Sequence, residues 1–254
     1  MNLTTALVAS AAALLGATSC FAADSASIIT PQIYGGTEVP VGAKTYIVSI
    51  RETPTSNTQC GGTLISPKHV LTAAHCEEYS YVVVGTHYAS GSKDGVAMKV
   101  VKKTLHPSWT STNTSHDLAI FELERTTTFP LVTLGTEADI AAATTASVLG
   151  WGLMSNNMQP RGLLTVDVPV LSNAKCASLL GASSLDSSML CAGGEKGKDS
   201  CSADSGGPLV ISKGGVDVQI GVVSWGRACG VQNQPGVYAR VPFAKSWIDN
   251  VLKA

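Results

Sequence analysis

Charged residues are scarce in this chain. Asp, Glu, Lys and Arg make up 14% of its 254 residues, and the formal net charge is −1. A protein that binds nucleic acid or an anionic membrane surface through electrostatics needs concentrated positive charge, which this sequence does not have. We therefore expect neither nucleic acid nor a membrane among its partners.

Long apolar runs are also missing after the N-terminus. The run from Leu3 to Gly16 is nearly all apolar or small, but it is shorter than the roughly 20 residues that span a bilayer. Small residues follow at Cys20-Phe21-Ala22, as at a signal-peptide cleavage site, although no Lys or Arg precedes the run. We interpret residues 1–22 as an export signal and predict a secreted, extracellular protein. A short buried helix is the alternative.

Cysteine pairs of the Cys-x-x-Cys type do not occur, which argues against a zinc site. The segment Gly85 to Gly95 contains Asp94 as its one carboxylate, too few oxygen ligands for calcium. We predict no metal and no cofactor. Cleavage of the signal removes Cys20 and leaves six cysteines, an even number typical of a disulfide-bonded secreted protein. The spacing alone leaves their pairing open.

Short apolar or alternating runs fill the rest of the chain, separated by Gly, Asn, Ser and Pro, as in strands joined by turns. The runs are Tyr46 to Ile50, Tyr81 to Val84, Val96 to Val101, Leu118 to Leu123, Ala146 to Leu149, Leu164 to Val170, Pro208 to Ile211, Val218 to Val223 and Val237 to Val241. One helical pattern stands out, at the C-terminus, where Phe243, Trp247, Ile248, Val251 and Leu252 share one face. The sequence predicts an all-β fold with a C-terminal α-helix.

Three separated motifs together indicate a serine nucleophile. They are Leu71-Thr72-Ala73-Ala74-His75-Cys76, Asp117-Leu118-Ala119-Ile120 and Asp204-Ser205-Gly206-Gly207-Pro208. A serine hydroxyl is a poor nucleophile at neutral pH unless a base takes its proton, and an imidazole oriented by a buried carboxylate is such a base. The order His75, Asp117, Ser205 is a known chain order for this triad.

With these motifs the chain resembles the trypsin-like (chymotrypsin-fold) serine proteases, from about Ile33 to its C-terminus. Further family motifs follow in order: Ile33-Tyr34-Gly35-Gly36, Cys60-Gly61-Gly62, Gly150-Trp151-Gly152, Ser224-Trp225-Gly226 and Pro235-Gly236-Val237-Tyr238. The resemblance implies two six-stranded antiparallel β-barrels packed with the active site between them. It implies that His75 is the general base, Asp117 its orienting carboxylate, and Ser205 the nucleophile that forms an acyl-enzyme intermediate.

The resemblance also implies the disulfides and the division of the chain. It selects the pairs Cys60–Cys76, Cys176–Cys191 and Cys201–Cys229. Residues 1–22 are then the signal peptide, residues 23–32 a propeptide, and residues 33–254 the protease domain with both barrels. The sequon Asn113-Thr114-Ser115 predicts a glycan on Asn113.

The specificity pocket of the family is matched by residues that favour a cationic substrate side chain. By resemblance, Asp199 lies at the base of this pocket. The other residues that form it are Ser200, Ser224, Trp225, Gly226, Gly236 and Tyr238. A carboxylate in a narrow pocket needs a cationic partner, which Arg or Lys supplies. The resemblance thus implies cleavage of protein or peptide substrates after Arg or Lys; the alternative is that Asp199 is a solvated loop acid.

Two positions depart from the family pattern. By resemblance, the backbone N–H groups of Ala203 and Ser205 form the oxyanion hole, but relatives nearly always have glycine where this chain has Ala203. In the family, the new N-terminus pairs with the acid before the nucleophile, here Ile33 with Asp204. The residue before Ile33 is Gln32, after which a protease specific for Arg or Lys does not cut.

Two hypotheses follow from these matches and departures. The first is a secreted serine endopeptidase that cleaves after Arg or Lys. The alternative is a catalytically silent or weak protease homologue that acts as a secreted binding or inhibitor protein. In either case we expect a monomer, with protein or peptide substrates and protein protease inhibitors as the partners that the family implies. We expect His87 and His106 to be exposed, and His116 to be a loop neighbour of Asp117.

Overall fold

The computed structural model describes residues 35–112, 114–142 and 144–254, without the side chain of Ala142. The predicted signal peptide, the propeptide, Ile33 and the sequon residue Asn113 lie outside the described residues. The described residues form β-strands and three α-helices. None of these helices is both long and apolar enough to cross a membrane.

The first half of the chain folds into a closed antiparallel barrel. After a short strand β1 (Thr37–Glu38), its strands are β2 (Ile47–Arg51), β3 (Thr58–Ser66), β4 (His69–Thr72), β5 (Tyr81–Val84), β6 (Val96–Leu105) and β7 (Ala119–Leu123). They pair in the ring β2-β3-β4-β7-β6-β5. All five residues of β2 are buried, so this strand lies inside the molecule on both of its faces.

The second half forms another antiparallel barrel. Its strands are β8 (Thr133–Leu134), β9 (Thr145–Gly150), β10 (Leu164–Leu171), β11 (Met189–Gly193), β12 (Pro208–Lys213), β13 (Val216–Trp225) and β14 (Pro235–Arg240). The path β10-β11-β14-β13-β12-β9 is closed by the pairing of β9 with β10, while β1 extends from β10 and β8 from β13. The prediction of two six-stranded antiparallel barrels is confirmed.

The predicted C-terminal helix is present as α3 (Lys245–Lys253), after a 3₁₀ turn at Pro242–Ala244. Its Ile248 is buried, and Trp247, Val251 and Leu252 pack against the core. Phe243 precedes the helix and is 45% exposed, so it does not share the buried face as predicted.

Two further helices were not predicted from the sequence. They are α1 (Glu137–Ala142) and α2 (Asn173–Leu180). A signal for α2 was present, because Ser172 is its N-cap residue and accepts a hydrogen bond from the backbone N–H of Lys175. Only Cys176 and Leu180 of α2 are buried, and its apolar residues do not gather on one face. The helical period is therefore hard to recognise in the sequence.

The described residues contain three disulfides. They join Cys60 to Cys76, Cys176 to Cys191 and Cys201 to Cys229. The first ties the residue after His75 to β3. The third ties the loop that carries Ser205 to the segment that follows β13.

Arg51, at the end of β2, is a fully buried cation. Its guanidinium donates hydrogen bonds to one hydroxyl and three backbone carbonyls, at Ser49 Oγ and at the carbonyls of Pro54, Tyr88 and Gly91. A guanidinium presents its donors in one rigid plane, so it fixes the groups that it reaches in one arrangement. Arg51 therefore holds the loops of residues 52–57 and 85–95 against each other.

We predict that Arg51→Leu lowers the free energy of unfolding by about 3 kcal/mol, because buried carbonyls lose their donors. The measurement is urea denaturation. Arg125→Leu serves as the matched control, since the Arg125 side chain is 54% exposed and a surface change of this kind costs at most about 0.5 kcal/mol. Equal effects of the two substitutions would contradict the role assigned to Arg51.

Candidate active site

His75 and Asp117 are brought together by the pairing of β4 with β7. The register of these antiparallel strands sets Thr72 opposite Ala119, so the residues just beyond the ends of the pairing lie side by side. His75 Nδ1 is 2.7 Å from Asp117 Oδ2, and the backbone N–H of His75 donates to Asp117 Oδ1 at 3.1 Å. This geometry fixes the orientation of the imidazole ring.

Asp117 is buried and accepts a third hydrogen bond, from the hydroxyl of Ser224 at 2.6 Å. Ser224 lies on β13 of the second barrel, whereas Asp117 precedes β7 of the first. The carboxylate is therefore fixed from both barrels. Three donors satisfy the buried carboxylate and fix its position, as a base-orienting group requires.

Ser205 lies in the turn before β12, at the surface of the second barrel that faces β3. Its backbone carbonyl accepts a hydrogen bond from the N–H of Gly61 at 2.7 Å. Within the described residues, no hydrogen bond joins the Ser205 hydroxyl to His75. Catalytic hydrogen bonds are often long without substrate and shorten when it binds. The structure thus places the predicted nucleophile, base and carboxylate in one site, with the His75–Asp117 half fully formed.

The predicted oxyanion turn contains a strained residue. The N–H of Asp204 donates to the carbonyl of Cys201 at 2.9 Å, which closes a four-residue turn with Ala203 at its third position. Ala203 has a φ of 72°. A turn with positive φ at this position strongly favours glycine, and an L-residue there costs about 1–2 kcal/mol. Glycine would hold this angle without that cost, and this chain holds it with a methyl group in place.

Asp204 is fully buried directly behind this turn. Its carboxylate accepts hydrogen bonds from the backbone N–H groups of Gly152 at 2.7 Å and Cys201 at 2.9 Å, and burial raises its pKa to about 6. A Cβ atom on Gly150 or Gly152 would overlap the carboxylate oxygens, so the Gly-Trp-Gly motif makes the space that Asp204 occupies. Its predicted partner, Ile33, lies outside the described residues.

A cavity of about 250 Å³ opens beside Ser205. It is lined by Asp199, Ser200, Cys201, Ser202, Ser205, Val223, Ser224, Trp225, Gly226, Arg227, Ala228, Cys229 and Gly236. Of these, Ser202, Val223, Arg227 and Ala228 were not assigned to the site from the sequence, although all four lie close to motif residues in the chain. Tyr238, also expected at the pocket, is fully buried, and its hydroxyl lies 3.4 Å from Ser200 Oγ.

Asp199 is the charged group at the buried end of this cavity. It is 2% exposed, which is inconsistent with a solvated loop acid. Its Oδ2 accepts from the N–H of Gly230 at 3.1 Å, whereas its Oδ1 has no hydrogen-bond partner within the described residues. Burial is the main cause that raises its pKa, to about 7. An unpaired buried oxygen of this kind favours a cationic group that can donate to it.

The expectation that His87 is exposed is wrong. His87 is 4% exposed, its Nε2 lies 2.8 Å from Glu38 Oε1, and its carbonyl accepts from Trp151 Nε1. These partners are distant in sequence, so no local pattern indicated them. Asp94, the carboxylate of the same loop, accepts from Thr86 Oγ1 and the N–H of His87.

The expectation that His106 is exposed is wrong, whereas His116 is a loop residue beside Asp117 as expected. Their rings stack with centroids 4.7 Å apart, and His106 lies between His116 and Trp247 of α3. His106 is half-buried rather than exposed, and burial together with the nearby His116 lowers its pKa. His116 is a loop neighbour of Asp117 with a φ of 55°, which adds a second strained position near the site.

One group of metal-ligand types occurs at the site among the described residues, namely Cys60, His75 and Cys76. The two cysteines are bonded to each other, so neither offers a thiolate to a metal. The chemistry that this arrangement supports is proton transfer by His75 and attack by Ser205, with a cation held at Asp199.

Comparison with known proteins agrees with this geometry. The family model described as Trypsin matches residues 33–248. The chain is similar to Glucanase inhibitor protein 3 of Phytophthora sojae, with 40% identity over 97% of this chain and 99% of that protein. It is similar to Glucanase inhibitor protein 1 of Phytophthora infestans, with 42% identity over 87% and 88%. It is also similar to Trypsin 5G1 of Aedes aegypti, with 37% identity over 87% and 85%.

We predict that the affinity for benzamidine, a cation sized for this cavity, rises with pH. Because the pKa of Asp199 in the empty pocket is about 7, a proton must leave before the amidinium can pair with the carboxylate. The affinity should increase about tenfold per pH unit below that value and level off above it. Isothermal titration calorimetry between pH 5 and 9 measures this. Asp199→Asn should bind weakly at every pH, and a flat wild-type profile would contradict the assignment.

We predict that Ala203→Gly raises the free energy of unfolding by about 0.5–1 kcal/mol, because relief of the positive φ outweighs the greater chain entropy of glycine. Urea denaturation provides the measurement. Ala177→Gly, in the middle of α2, is the control and should lower stability by about 1 kcal/mol, as glycine does inside a helix. Loss of stability in both variants would show that the turn carries no strain.

Proposed function

This chain belongs to the trypsin family, and we propose that it is a secreted protease homologue that binds and inhibits a glucanase, with weak or no proteolytic activity of its own. The observation that carries this proposal is similarity along the whole chain to proteins named as glucanase inhibitors. Two such relatives align with 97% and 100% of this chain at 40% identity, so the similarity is not confined to one of the two barrels.

The strained oxyanion turn supports slow catalysis. Two backbone N–H groups, of Ala203 and Ser205, have to meet the oxyanion of the acyl-transfer step, and loss of one such donor lowers turnover by about 10²–10³-fold. Ala203 holds its φ of 72° at an energetic cost. This strain favours conformations of the turn other than the one that catalysis requires.

The cleft remains suitable for binding even if turnover is slow. The cavity at Asp199 can take one Lys or Arg side chain from a partner, whose charge then pairs with the free Oδ1. A protein that is held there but not cleaved is a stably bound partner rather than a substrate. On this proposal the family's substrate cleft serves as the anchor for an inhibited partner.

A second candidate is a secreted endopeptidase that cleaves after Arg or Lys. The hydrogen-bonded series His75–Asp117–Ser224 and the buried Asp199 favour it. In this mechanism His75 takes the proton of Ser205 as the Ser205 oxygen attacks the scissile carbonyl. The protonated His75 then gives this proton to the leaving amine as the C–N bond breaks. Water then hydrolyses the acyl-enzyme with His75 as base.

Both candidates share the remaining proposals about processing. These are a signal peptide at residues 1–22, a propeptide at residues 23–32, an Ile33–Asp204 pair after cleavage, a glycan on Asn113, and a monomeric, extracellular product. The buried Asp204 supports the pair, because a carboxylate without a cation in the interior gains most from an ammonium group.

The test uses purified protein that begins at Ile33, its Ser205→Ala variant, and Ser246→Ala as a control on the exposed face of α3. An inhibitor should reduce glucanase hydrolysis of laminarin equally in all three forms, because binding needs no nucleophile. An endopeptidase should hydrolyse an Arg-containing fluorogenic peptide, and Ser205→Ala alone should lower kcat by about 10⁴-fold or more.

Active-site titration of the same forms separates the two candidates. Full titration of the wild type, together with no effect on any glucanase, would overturn the inhibitor proposal. A titratable fraction that rises in Ala203→Gly would show that the methyl group limits the oxyanion turn. Protein that retains residues 23–32 should titrate less than protein that begins at Ile33 if the Ile33–Asp204 pair forms.

A further inference from the structure

A cleft of about 450 Å³ lies where three loops of residues 52–57, 85–95 and 153–162 meet, and we call it the basic cleft. Its lining consists of Asn57, Tyr88, Ala89, Ser90, Lys93, Met158, Gln159, Pro160 and Arg161. Two cations and no carboxylate are among these residues. We propose that the basic cleft is a second docking surface, which takes an acidic, carboxylate-bearing segment of a partner protein; this rests on the proposed binding function.

The basic cleft is rigid before any partner arrives. Arg51 joins two of the three loops that form the cleft, because its guanidinium donates to the carbonyls of Pro54, Tyr88 and Gly91. The third loop is tied to them by the N–H of Ala89, which donates to the carbonyl of Arg161 at 3.0 Å. A surface fixed in this way loses little conformational entropy on binding, which favours affinity.

The cations of the basic cleft have no acidic partner. Neither Lys93 nor Arg161 has a carboxylate oxygen within 4 Å among the described residues. Lys93 instead donates to the Tyr88 hydroxyl at 2.7 Å and lies 4.1 Å from the centroid of that ring. The carboxylate of the neighbouring Asp94 accepts hydrogen bonds from Thr86 Oγ1 and from the N–H of His87. Both charges are therefore available to an incoming carboxylate.

The chemistry of the lining identifies the class of ligand. An arginine binds a carboxylate through two parallel hydrogen bonds, and Lys93 adds a point charge on the same cleft. Met158 is 62% exposed and offers an apolar contact beside them. Two cations in a chain of net charge −1 are too few to hold a nucleic-acid backbone, which takes many phosphate contacts. A short acidic polypeptide segment matches both the charge and the size.

The basic cleft is also connected to the candidate active site. Gln159 Nε2 donates to the carbonyl of Thr58 at 2.6 Å, and Thr58 begins β3. Two residues further along β3, Cys60 is bonded to Cys76, the neighbour of His75. Strand β3 therefore links the basic cleft to the segment that carries His75.

The test uses protein that begins at Ile33 and a fluorescein-labelled peptide of alternating Glu and Ser, with a Gln and Ser peptide as its uncharged analogue. Fluorescence anisotropy at low salt should show binding of the Glu peptide alone. The double variant Lys93→Glu/Arg161→Glu should weaken binding by about tenfold or more, as for loss of paired charges at an interface. Lys93→Arg/Arg161→Lys should retain it.

The matched control is Lys175→Glu/Lys253→Glu, which makes the same change in net charge at exposed residues of α2 and α3. It should bind the Glu peptide like the wild type. Equal losses in both double variants, or equal binding of the Gln peptide, would overturn the proposal, because net charge or non-specific contact would then explain it. Thermal unfolding of each variant verifies that the fold is kept.

A glucanase inhibited by the wild type provides the second measurement. Lys93→Glu/Arg161→Glu should raise the inhibition constant while leaving benzamidine binding at Asp199 unchanged. If no glucanase is inhibited by the wild type but the charge-dependent peptide binding persists, the glucanase proposal fails and the basic cleft stands. If inhibition occurs and the double variant inhibits equally well, the basic cleft fails and the inhibitor proposal stands.

Discussion

The buried carboxylate of Asp117 accepts hydrogen bonds from groups on both barrels, and the rest of the site depends on this arrangement. His75 donates from the first barrel and Ser224 from the second. A buried carboxylate without donors is costly, so the two barrels are stabilised in the relative position that satisfies it. The same position places Ser205 and the cavity at Asp199 on the side of the second barrel that faces the first.

Two other carboxylates, Asp199 and Asp204, lie buried on either side of the oxyanion turn. Burial raises the pKa of both, to about 7 and about 6. Their charges also oppose each other, so each gains when a cation arrives. The proposed cation is a Lys or Arg side chain of a bound partner for Asp199, and the new N-terminus for Asp204. Ala203 lies between them in the chain, at the strained position of the turn.

The same cleft can therefore serve an enzyme or a binding protein. What separates the two is whether the turn at Ala203 holds its N–H groups towards an oxyanion. The hydrogen-bonded His75–Asp117 pair and the cavity at Asp199 are compatible with either function. The rigid loops around Arg51 add surface that catalysis does not need, and this surface is what a lasting complex requires.

Much of this protein follows from the sequence alone. The order of the three motifs, the strand-like runs and the apolar face of the last helix were readable because each depends on neighbouring residues. The resemblance then supplied the two barrels and the candidate roles of His75, Asp117 and Ser205. Ser172 shows that even α2 had a local signal, in its N-cap.

Other features were decided only by the tertiary structure. His87 is buried because Glu38 and Trp151 meet it across 49 and 64 residues, and the basic cleft exists because Gln159 reaches Thr58 across 101 residues. Hydrogen bonds over such separations leave no pattern in a short stretch of sequence. The positive φ of Ala203 belongs to the same class, because a closed turn between fixed segments imposes a backbone angle that alanine would not adopt by itself.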